Sequence, residues 1–176
     1  HGIPGSLGGA VWMNAGAYDG EMRQVVEEVT ALYPDGVRTL RGEELEFGYR
    51  HSVFSHQPEA VVLSAKLHLR PGDPRRIRER MEELMARRKA SQPLEYPSAG
   101  STFKRPVGNF AGTLIEKSGL KGTSVGGAQV SQKHAGFIIN RGGATCADVK
   151  ALIALVQETV LRDSGVQLEP EVRIIE

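Results

Sequence analysis

The first part of the chain carries the hydrophobic pattern of β-strands. Apolar residues form runs at positions 25–33, 37–40 and 61–69, and in the last run they alternate with polar residues. The sequence Pro34-Asp35-Gly36 separates the first two runs and has the composition of a tight turn. The pattern therefore predicts a hairpin followed by a third strand.

A helical pattern follows from Pro74 to about Ala90. Asp73 can cap this helix and Pro74 fits its first turn. The basic run from 75 to 89 is interleaved with glutamates, so we interpret its arginines as a solvated face rather than a nucleic-acid site. The opposite side is predicted to be one apolar stripe, made of Ile77, Met81, Leu84 and Met85.

The second half of the chain mixes helices and strands. A helix is predicted after Asn109 that stops at Gly119, then a strand at 136–140, then a helix from Ala147 to about Arg162 closed by Gly165. The sequence Thr145-Cys146-Ala147-Asp148 has the form of a capping box. The buried face of the last helix is predicted to contain Val149, Leu152, Ile153, Val156 and Val160.

The best candidate boundary between domains is Ser91-Gln92-Pro93, where the first long helix ends. Strands come before it, and mixed helices and strands come after it. This order predicts an α+β protein with two lobes.

Composition and charge narrow the class of protein. A chain of 176 residues can bury a sizeable core, and a net charge of +1 provides no field for nucleic acid or a membrane surface. No apolar run approaches the roughly 20 residues that span a bilayer, and no signal-peptide pattern occurs. The single cysteine, Cys146, excludes an internal disulfide framework and fits a reducing cytoplasm. The five histidines form no metal-binding motif, so no metal is expected.

The segment 98–106, SAGSTFKRP, carries the most distinctive chemistry. Gly100 permits a tight turn, and Pro106 keeps the segment from joining a central strand. Ser101 is then presented at the end of an element, with Lys104 and Arg105 suited to a phosphate or carboxylate. The same residue types are equally typical of an ordinary surface turn, so the segment alone leaves both interpretations open.

Two other segments accompany it. Residues 1–18, HGIPGSLGGAVWMNAGAY, form a glycine-rich loop whose backbone N–H groups could hold an anion or a flat ring. This loop matches neither the dinucleotide fingerprint nor the P-loop. At the other end, LEPEVRII at 168–175 leads from acidic residues into a strand-like apolar run.

Together these segments resemble one family, the UDP-N-acetylenolpyruvoylglucosamine reductases. Its motifs occur in order as GIPGSLGGAVWMNAGAY, YRHSVF, PLEYPSAGSTFKRP, GLKGTSVGGAQVSQKHAGFIIN and LEPEVRIIE. The resemblance implies a flavoenzyme in which NADPH reduces FAD, which then reduces the enolpyruvyl group of a UDP-sugar to give UDP-N-acetylmuramate for the bacterial cell wall. It also implies a cytoplasmic protein, expected to be a monomer, of the branch that lacks an extra tyrosine-bearing loop.

The resemblance assigns roles to individual residues. Ser101 matches the family serine that delivers a proton, and Arg50 and Glu171 match residues that stabilise an enol-like intermediate. Such chemistry needs a fixed cation near the developing enolate and a positioned proton donor. From the residues alone, Arg50 could equally be a surface ion-pair partner and Glu171 a solvated residue at the start of a strand.

The remaining candidate residues follow from the same motifs. Those expected to bind the flavin are Ile3, Pro4, Gly5, Ser6, Gly8, Gly9, Asn14, Gly16 and Ala17. Those expected to bind the substrate are Tyr49, Ser52, Lys104, Arg105, Gln129, Lys133 and His134. Arg105 departs from the family, where many members have asparagine, and this puts the diphosphate contacts in question.

The resemblance implies a domain division as well. Residues 1–72 are expected to be the C-terminal part of an FAD-binding domain of the vanillyl-alcohol-oxidase/PCMH type, 73–92 a connecting helix, and 93–176 a small α+β substrate-binding domain. We expect the chain to be a fragment that lacks an upstream flavin-binding segment and is inactive alone. Two alternatives stay open: an FAD-linked oxidase of the same flavin fold, and a non-catalytic module that binds nucleotide sugars.

Overall fold

The computed structural model describes residues 1–175, which divide into two compact units. The first unit is His1–Met85 and the second begins at Ala86. Each unit has its own cluster of buried apolar side chains.

The first unit contains a three-stranded antiparallel sheet. The order is β4-β3-β5, and Tyr33 pairs with Gly36 across a two-residue turn, which confirms the predicted hairpin. One face of β3 is buried and the other is turned outward, as alternation requires. The elements of this unit are α1 (Leu7–Trp12), β1 (Gly16–Ala17), β2 (Gly20–Glu21), β3 (Val26–Tyr33), β4 (Gly36–Arg41) and β5 (Val61–Leu67).

The core of the first unit lies between this sheet and the segments that precede and follow it. Its buried members are Val11, Val29, Ala31, Tyr33, Leu45, Phe54 and Ala60. The glycine count suggested that this segment is an open loop. Part of it is instead the helix α1, to which Val11 belongs. Ser6 caps α1 by accepting a hydrogen bond from the Gly9 amide at 3.1 Å, which offsets the poor helix propensity of the glycines.

Helix α2 (Pro74–Ser91) begins where the sequence predicted. The Asp73 carboxylate accepts from the Arg75 amide at 2.9 Å, which confirms the predicted cap. The predicted apolar stripe is not fully covered, because Ile77 is 48% exposed and Met81 37%. Periodicity predicts which side of a helix is apolar, but it does not predict whether another part of the protein packs against that side.

The second unit is a four-stranded antiparallel sheet packed with two helices. The strand order is β6-β9-β8-β7, so β6 is an edge strand, as Pro106 led us to expect. Its buried cluster joins both helices to the sheet and includes Ile115, Val130, Leu152, Val156 and Val160. The elements are β6 (Ser98–Ser101), α3 (Ala111–Lys117), β7 (Ser124–Val125), β8 (Ala128–Val130), β9 (Phe137–Asn140) and α4 (Cys146–Ser164).

Helix α4 confirms the local predictions at both ends. The Thr145 hydroxyl accepts from the Asp148 amide, and the Asp148 carboxylate accepts from the Thr145 amide, which is the predicted capping box. At the other end Gly165 is in the left-handed conformation, with φ +70°, as a closing glycine should be. Four of the five residues predicted on the buried face are buried, and Val149 packs at its margin.

The C-terminal segment is not a strand of the sheet, contrary to the prediction from its apolar run. It makes an isolated bridge between Phe103 and Pro170 and no longer ladder. Main-chain hydrogen bonds from Lys104 to Glu169 and from Glu171 to Thr102 flank this bridge.

Within residues 1–175, no helix is long and apolar enough to cross a membrane, and no three His, Cys, Asp or Glu side chains lie together as metal ligands.

Candidate functional site

Ser101 is presented by a bulge at the end of edge strand β6. Ser98 pairs with Ile139 and Ser101 with Phe137, so β6 has one residue more than β9 between the two pairs. Gly100 lies in this bulge with φ +83°, a backbone conformation that residues with a Cβ rarely adopt. Bulges re-aim side chains at sheet edges, and here the bulge leaves Ser101 exposed.

Thr102 anchors the same segment and was missed by the sequence reasoning. Its amide donates to Gly136 O at 2.8 Å, and its hydroxyl accepts from the Ile138 amide at 3.1 Å. The residue is 2% exposed. Thr102 points inward and Ser101 outward, as successive side chains of a strand do. Thr102 therefore fixes the main chain from which Ser101 projects.

Glu171 lies on the segment that flanks this one on its other side. The Glu171 amide donates to Thr102 O at 2.8 Å, and the Lys104 amide donates to Glu169 O at 2.8 Å. The two candidate residues Ser101 and Glu171, distant in sequence, therefore belong to adjacent extended segments joined by main-chain hydrogen bonds. The fold brings this pair together within the second unit.

The two cations after Ser101 both have partners. Lys104 Nζ lies 3.0 Å from Glu169 Oε2 in an ion pair whose side chains are both exposed. Such a pair contributes about 0–1 kcal/mol, so an arriving anion could exchange for the carboxylate. The Arg105 guanidinium lies over the ring of Phe110, 4.0 Å from its centroid, and Phe110 is 58% exposed. Neither Glu169 nor Phe110 was singled out from the sequence.

Gln129 and Lys133, both predicted to bind substrate, make internal contacts here. Gln129 Nε2 donates to Gly122 O at 3.1 Å and to Ser124 Oγ at 3.0 Å. Lys133 Nζ donates to Lys89 O at 2.7 Å, near the C-terminal end of α2, where a cation complements unpaired carbonyl groups. Their role toward a substrate stays a prediction.

His134 is held as a neutral imidazole. Its Nδ1 accepts from the Gly136 amide at 3.1 Å, and the ring meets Phe137 edge to face. Burial is the main cause that lowers the pKa of His134 below its ordinary value. Since Nδ1 is the acceptor, Nε2 carries the proton and is a donor without charge. The buried Ser131, also missed from sequence, accepts from the amides of Lys133 and His134 and shapes this loop.

Arg50 lies in a tight turn of the first unit. Gly48 and His51 exchange two main-chain hydrogen bonds, which close the turn around Tyr49 and Arg50. Arg50 has φ +52°, a strained value for a residue with a side chain. Its Nη2 donates to Gly16 O at 3.0 Å, and its guanidinium lies 5.0 Å from the Tyr49 ring centroid.

Two residues of the first unit that were predicted to bind ligands have fully buried side chains. Ser52, predicted to bind substrate, donates from its hydroxyl to Trp12 O at 2.7 Å. Asn14, predicted to bind the flavin, uses its amide group to bond Glu21, Gly48 and Arg23. Both side chains join the glycine-rich segment to the Arg50 turn, so they build the scaffold of the site.

The other residues predicted at the flavin are open to solvent or close to it. Ser6, as the cap of α1, already uses its hydroxyl. Gly16 is required for close strand pairing, because a Cβ there would lie 2.8 Å from both Glu21 Cβ and Gly20 O. Gly8 is half-buried, and the exposed members are Ile3, Pro4, Gly5, Ser6, Gly9 and Ala17.

Comparison with known proteins first defines the class of the second unit. Residues 92–175 match the family model described as "UDP-N-acetylenolpyruvoylglucosamine reductase, C-terminal domain". The mixed helices and strands of this unit are therefore those of a reductase domain.

The chain as a whole has relatives with the same name. It is 57% identical to UDP-N-acetylenolpyruvoylglucosamine reductase of Latilactobacillus sakei, over 99% of this chain and 57% of that protein. The corresponding enzyme of Pediococcus pentosaceus is 59% identical, over 99% of this chain and 58% of that protein. The crystal structure of UDP-N-acetylenolpyruvylglucosamine reductase (MurB) from Thermus caldophilus matches with TM-score 0.86 and 41% identity, over 98% of this chain and 61% of that one.

These similarities confirm the resemblance to the UDP-N-acetylenolpyruvoylglucosamine reductases that the five motifs indicated. The chain spans a little over half the length of the curated relatives it matches.

Proposed function

We propose that this chain is the catalytic portion of an NADPH-dependent flavoenzyme that reduces UDP-N-acetylglucosamine enolpyruvate to UDP-N-acetylmuramate in peptidoglycan synthesis. The similarity to reductases of this name supports this reaction class. The observation that carries the proposal to individual residues is the main-chain hydrogen bond of 2.8 Å from Glu171 to Thr102, which sets Glu171 beside the bulge that presents Ser101.

Ser101 is proposed as the proton donor. Reduction of the enolpyruvyl double bond adds a hydride to one carbon and a proton to its neighbour, next to the carboxylate. The Ser101 hydroxyl is exposed, and the bulge from which it projects is anchored by the buried Thr102. A positioned donor contributes typically 10²–10⁴-fold to rate.

Arg50 and Glu171 are proposed to stabilise the enol-like intermediate. A guanidinium offers paired donors to the two oxygens of a carboxylate, which is where negative charge develops. The strained turn and the hydrogen bond to Gly16 O limit the positions that the Arg50 side chain can take. Glu171 is half-buried, and its main chain is fixed by the bond to Thr102.

The residues present fit a flavin. Residues Ile3, Pro4 and Gly5 are exposed, and a Cβ at Gly5 would meet nothing within 4 Å, so this segment leaves room for a flat or anionic ligand. When bound, FAD supplies the hydride that it has taken from NADPH. We propose that the first unit holds it through this segment, with Gly16 and Ala17 following.

The second unit is proposed to recognise the nucleotide sugar. Lys104 and Arg105 offer charge to the diphosphate, and His134 offers an uncharged donor from Nε2. Gln129 lies in β8 and Lys133 in the loop that follows it, and in the first unit Tyr49 adds an exposed ring beside Arg50.

The domain roles follow the family. We propose that residues 1–72 are the C-terminal part of a PCMH-type flavin domain, 73–92 a connecting helix, and 93–176 the substrate-binding domain. The exposed, unpaired cysteine Cys146 fits a reducing compartment, and we propose a cytoplasmic monomer.

The test uses the flavin-loaded enzyme that contains this chain. NADPH should bleach the flavin absorption band, and the enolpyruvyl sugar nucleotide should restore it. Ser101→Ala should leave bleaching within about twofold and slow restoration by about 10²-fold or more, whereas Ser91→Ala, another exposed hydroxyl of the second unit, should change neither. Equal loss of both half-reactions would remove Ser101 from the donor role. Retained substrate binding with no turnover in the unaltered protein would favour the non-catalytic module.

A further inference from the structure

We infer that Asn14 is a positioning residue that acts through Arg50: its side chain holds the turn from which Arg50 is presented. This inference rests on the proposed function for its effect on turnover. Its structural part concerns the first unit alone and can be tested without activity.

The Asn14 side chain satisfies three groups at once and is fully buried. Nδ2 donates to Gly48 O at 2.9 Å and to Glu21 Oε2 at 3.2 Å. Oδ1 accepts from the Arg23 amide at 2.8 Å. A carboxamide is the side chain of this size that supplies a donor and an acceptor together. Asn14 itself has φ +43°, which asparagine tolerates better than most residues.

Gly48 O is the critical partner because it also closes the Arg50 turn. The His51 amide reaches the same oxygen at 3.3 Å, longer than the bond from Asn14. The turn contains Arg50 at φ +52°, a conformation that persists only when surrounding contacts over-determine it. Asn14 is the one side chain, among the hydrogen bonds described, that reaches into the turn's closing pair.

The same segment also holds the Arg50 side chain. Arg50 Nη2 donates to Gly16 O at 3.0 Å, two residues after Asn14. Asn14 thus holds the Gly48 end of the turn, and Gly16 O holds the Arg50 guanidinium. A shift of residues 14–16 would displace both the backbone and the guanidinium of Arg50, and displacement of a transition-state group lowers kcat more than it raises KM.

The test is Asn14→Asp, which keeps size and the acceptor for Arg23 but removes the donor to Gly48 and sets two carboxyl groups together. Asn14→Asp/Glu21→Gln is the second variant: it removes the like charge and gives the introduced carboxylate a donor, yet Gly48 O still has no donor from residue 14. We expect the second variant to recover folding but to keep a kcat for substrate reduction at least tenfold below that of the unaltered enzyme. NADPH-driven flavin reduction should change by less than twofold.

Coupling to Arg50 distinguishes positioning from general loosening. If Asn14 acts through Arg50, combining the second variant with Arg50→Lys should lower kcat by less than the product of the two separate falls. A combined fall equal to that product would overturn the inference. Full recovery of kcat in Asn14→Asp/Glu21→Gln would overturn it as well.

A readout independent of turnover is amide hydrogen exchange at His51. Both variants should speed this exchange at least tenfold, because the His51 amide closes the turn onto Gly48 O, while the Val29 amide in the central strand should serve as an unchanged reference. Unchanged exchange at His51 would overturn the inference. If the unaltered enzyme fails to reduce the substrate, the proposed function fails, and exchange at His51 still decides whether Asn14 holds the turn.

Discussion

Ser101 and Arg50 both depend on backbone with positive φ, at Gly100 just before Ser101 and at Arg50 itself, but the two units hold these segments by different means. The Ser101 bulge is bracketed mainly by main-chain hydrogen bonds, from Thr102 to Gly136 on one side and from Glu171 to Thr102 on the other. The Arg50 turn is closed by the two main-chain hydrogen bonds between Gly48 and His51, but its links to the neighbouring segment come from side chains, through Asn14 to Gly48 and through Arg50 itself to Gly16. Main-chain anchoring tolerates many substitutions around it, whereas side-chain anchoring depends on particular residues far away in sequence.

This difference has a consequence for how mutations act. In the second unit, a substitution should disturb Ser101 chiefly when it alters backbone conformation, as at Gly100. In the first unit, a change that leaves the backbone's intrinsic preferences untouched should still displace Arg50 if it removes one hydrogen bond. Each prediction below challenges one side of this contrast.

The largest effect is expected from Arg50→Lys. Lysine keeps the charge but loses the planar pair of donors, so turnover should fall by about 10²-fold or more while KM changes by a few fold. Steady-state kinetics of substrate reduction measure both. Arg38→Lys is the control, because Arg38 also lies over a tyrosine ring in the first unit, at 4.7 Å from the Tyr33 centroid. A rise in KM alone would make Arg50 a binding residue.

A smaller effect is expected from Gly100→Ala. The alanine Cβ would meet nothing within 4 Å, so the cost comes from φ +83° alone, about 1–2 kcal/mol. Relaxation of the bulge should move Ser101 and lower kcat by about 10–100-fold, since small misplacements of a reacting group are costly. Gly165→Ala, with φ +70° and equal space at the end of α4, should lose similar stability with unchanged kcat. Similar kcat losses in both variants would show that the strain lowers kcat by reducing the stability of the fold and not by moving Ser101.

The local devices of this fold could be predicted from the sequence. Gly100 and Gly165 were expected in special conformations, and both have positive φ. Thr145 and Asp148 were expected to form a capping box, and they do. These predictions succeeded because each rule involves residues within a few positions of one another, where backbone chemistry alone decides the outcome.

The partners across long distances could not be predicted in the same way. Thr102 looked like an unremarkable neighbour of Ser101, because its role depends on Ile138 and Glu171. Asn14 and Ser52 lay inside motifs and were predicted to bind ligands, but the internal hydrogen bonds that bury both side chains depend on partners such as Gly48 and Trp12 and could not be predicted. A motif marks residues that a site needs, but it does not separate those that touch a ligand from those that hold the others in place.

The smallest effect tests whether the main-chain anchoring of the second unit depends on a charge. Hydrogen bonds from Thr145, from its main chain first and then its side chain, lower the pKa of Asp148 below its ordinary value of 3.8. The carboxylate also accepts from the Gly127 amide at 3.4 Å, so it joins α4 to the turn between β7 and β8.

A depressed pKa in the folded state means that the ionised carboxylate stabilises the fold. That contribution is fully present above the unfolded pKa of about 4 and is lost as pH falls through the lower folded pKa. Asp148→Asn should therefore be less stable than the unaltered chain at neutral pH, and the difference should shrink below about pH 4. Urea unfolding between pH 2 and 7, followed by amide signals of α4, measures this difference in stability.

Glu158→Gln, at an exposed position on the same helix, is the control and should leave the loss of stability at acid pH unchanged. Parallel pH curves for Asp148→Asn and the unaltered chain would show that the neutral side chain supports the Gly127 turn equally well, and that the second unit is anchored by its main chain without help from this charge.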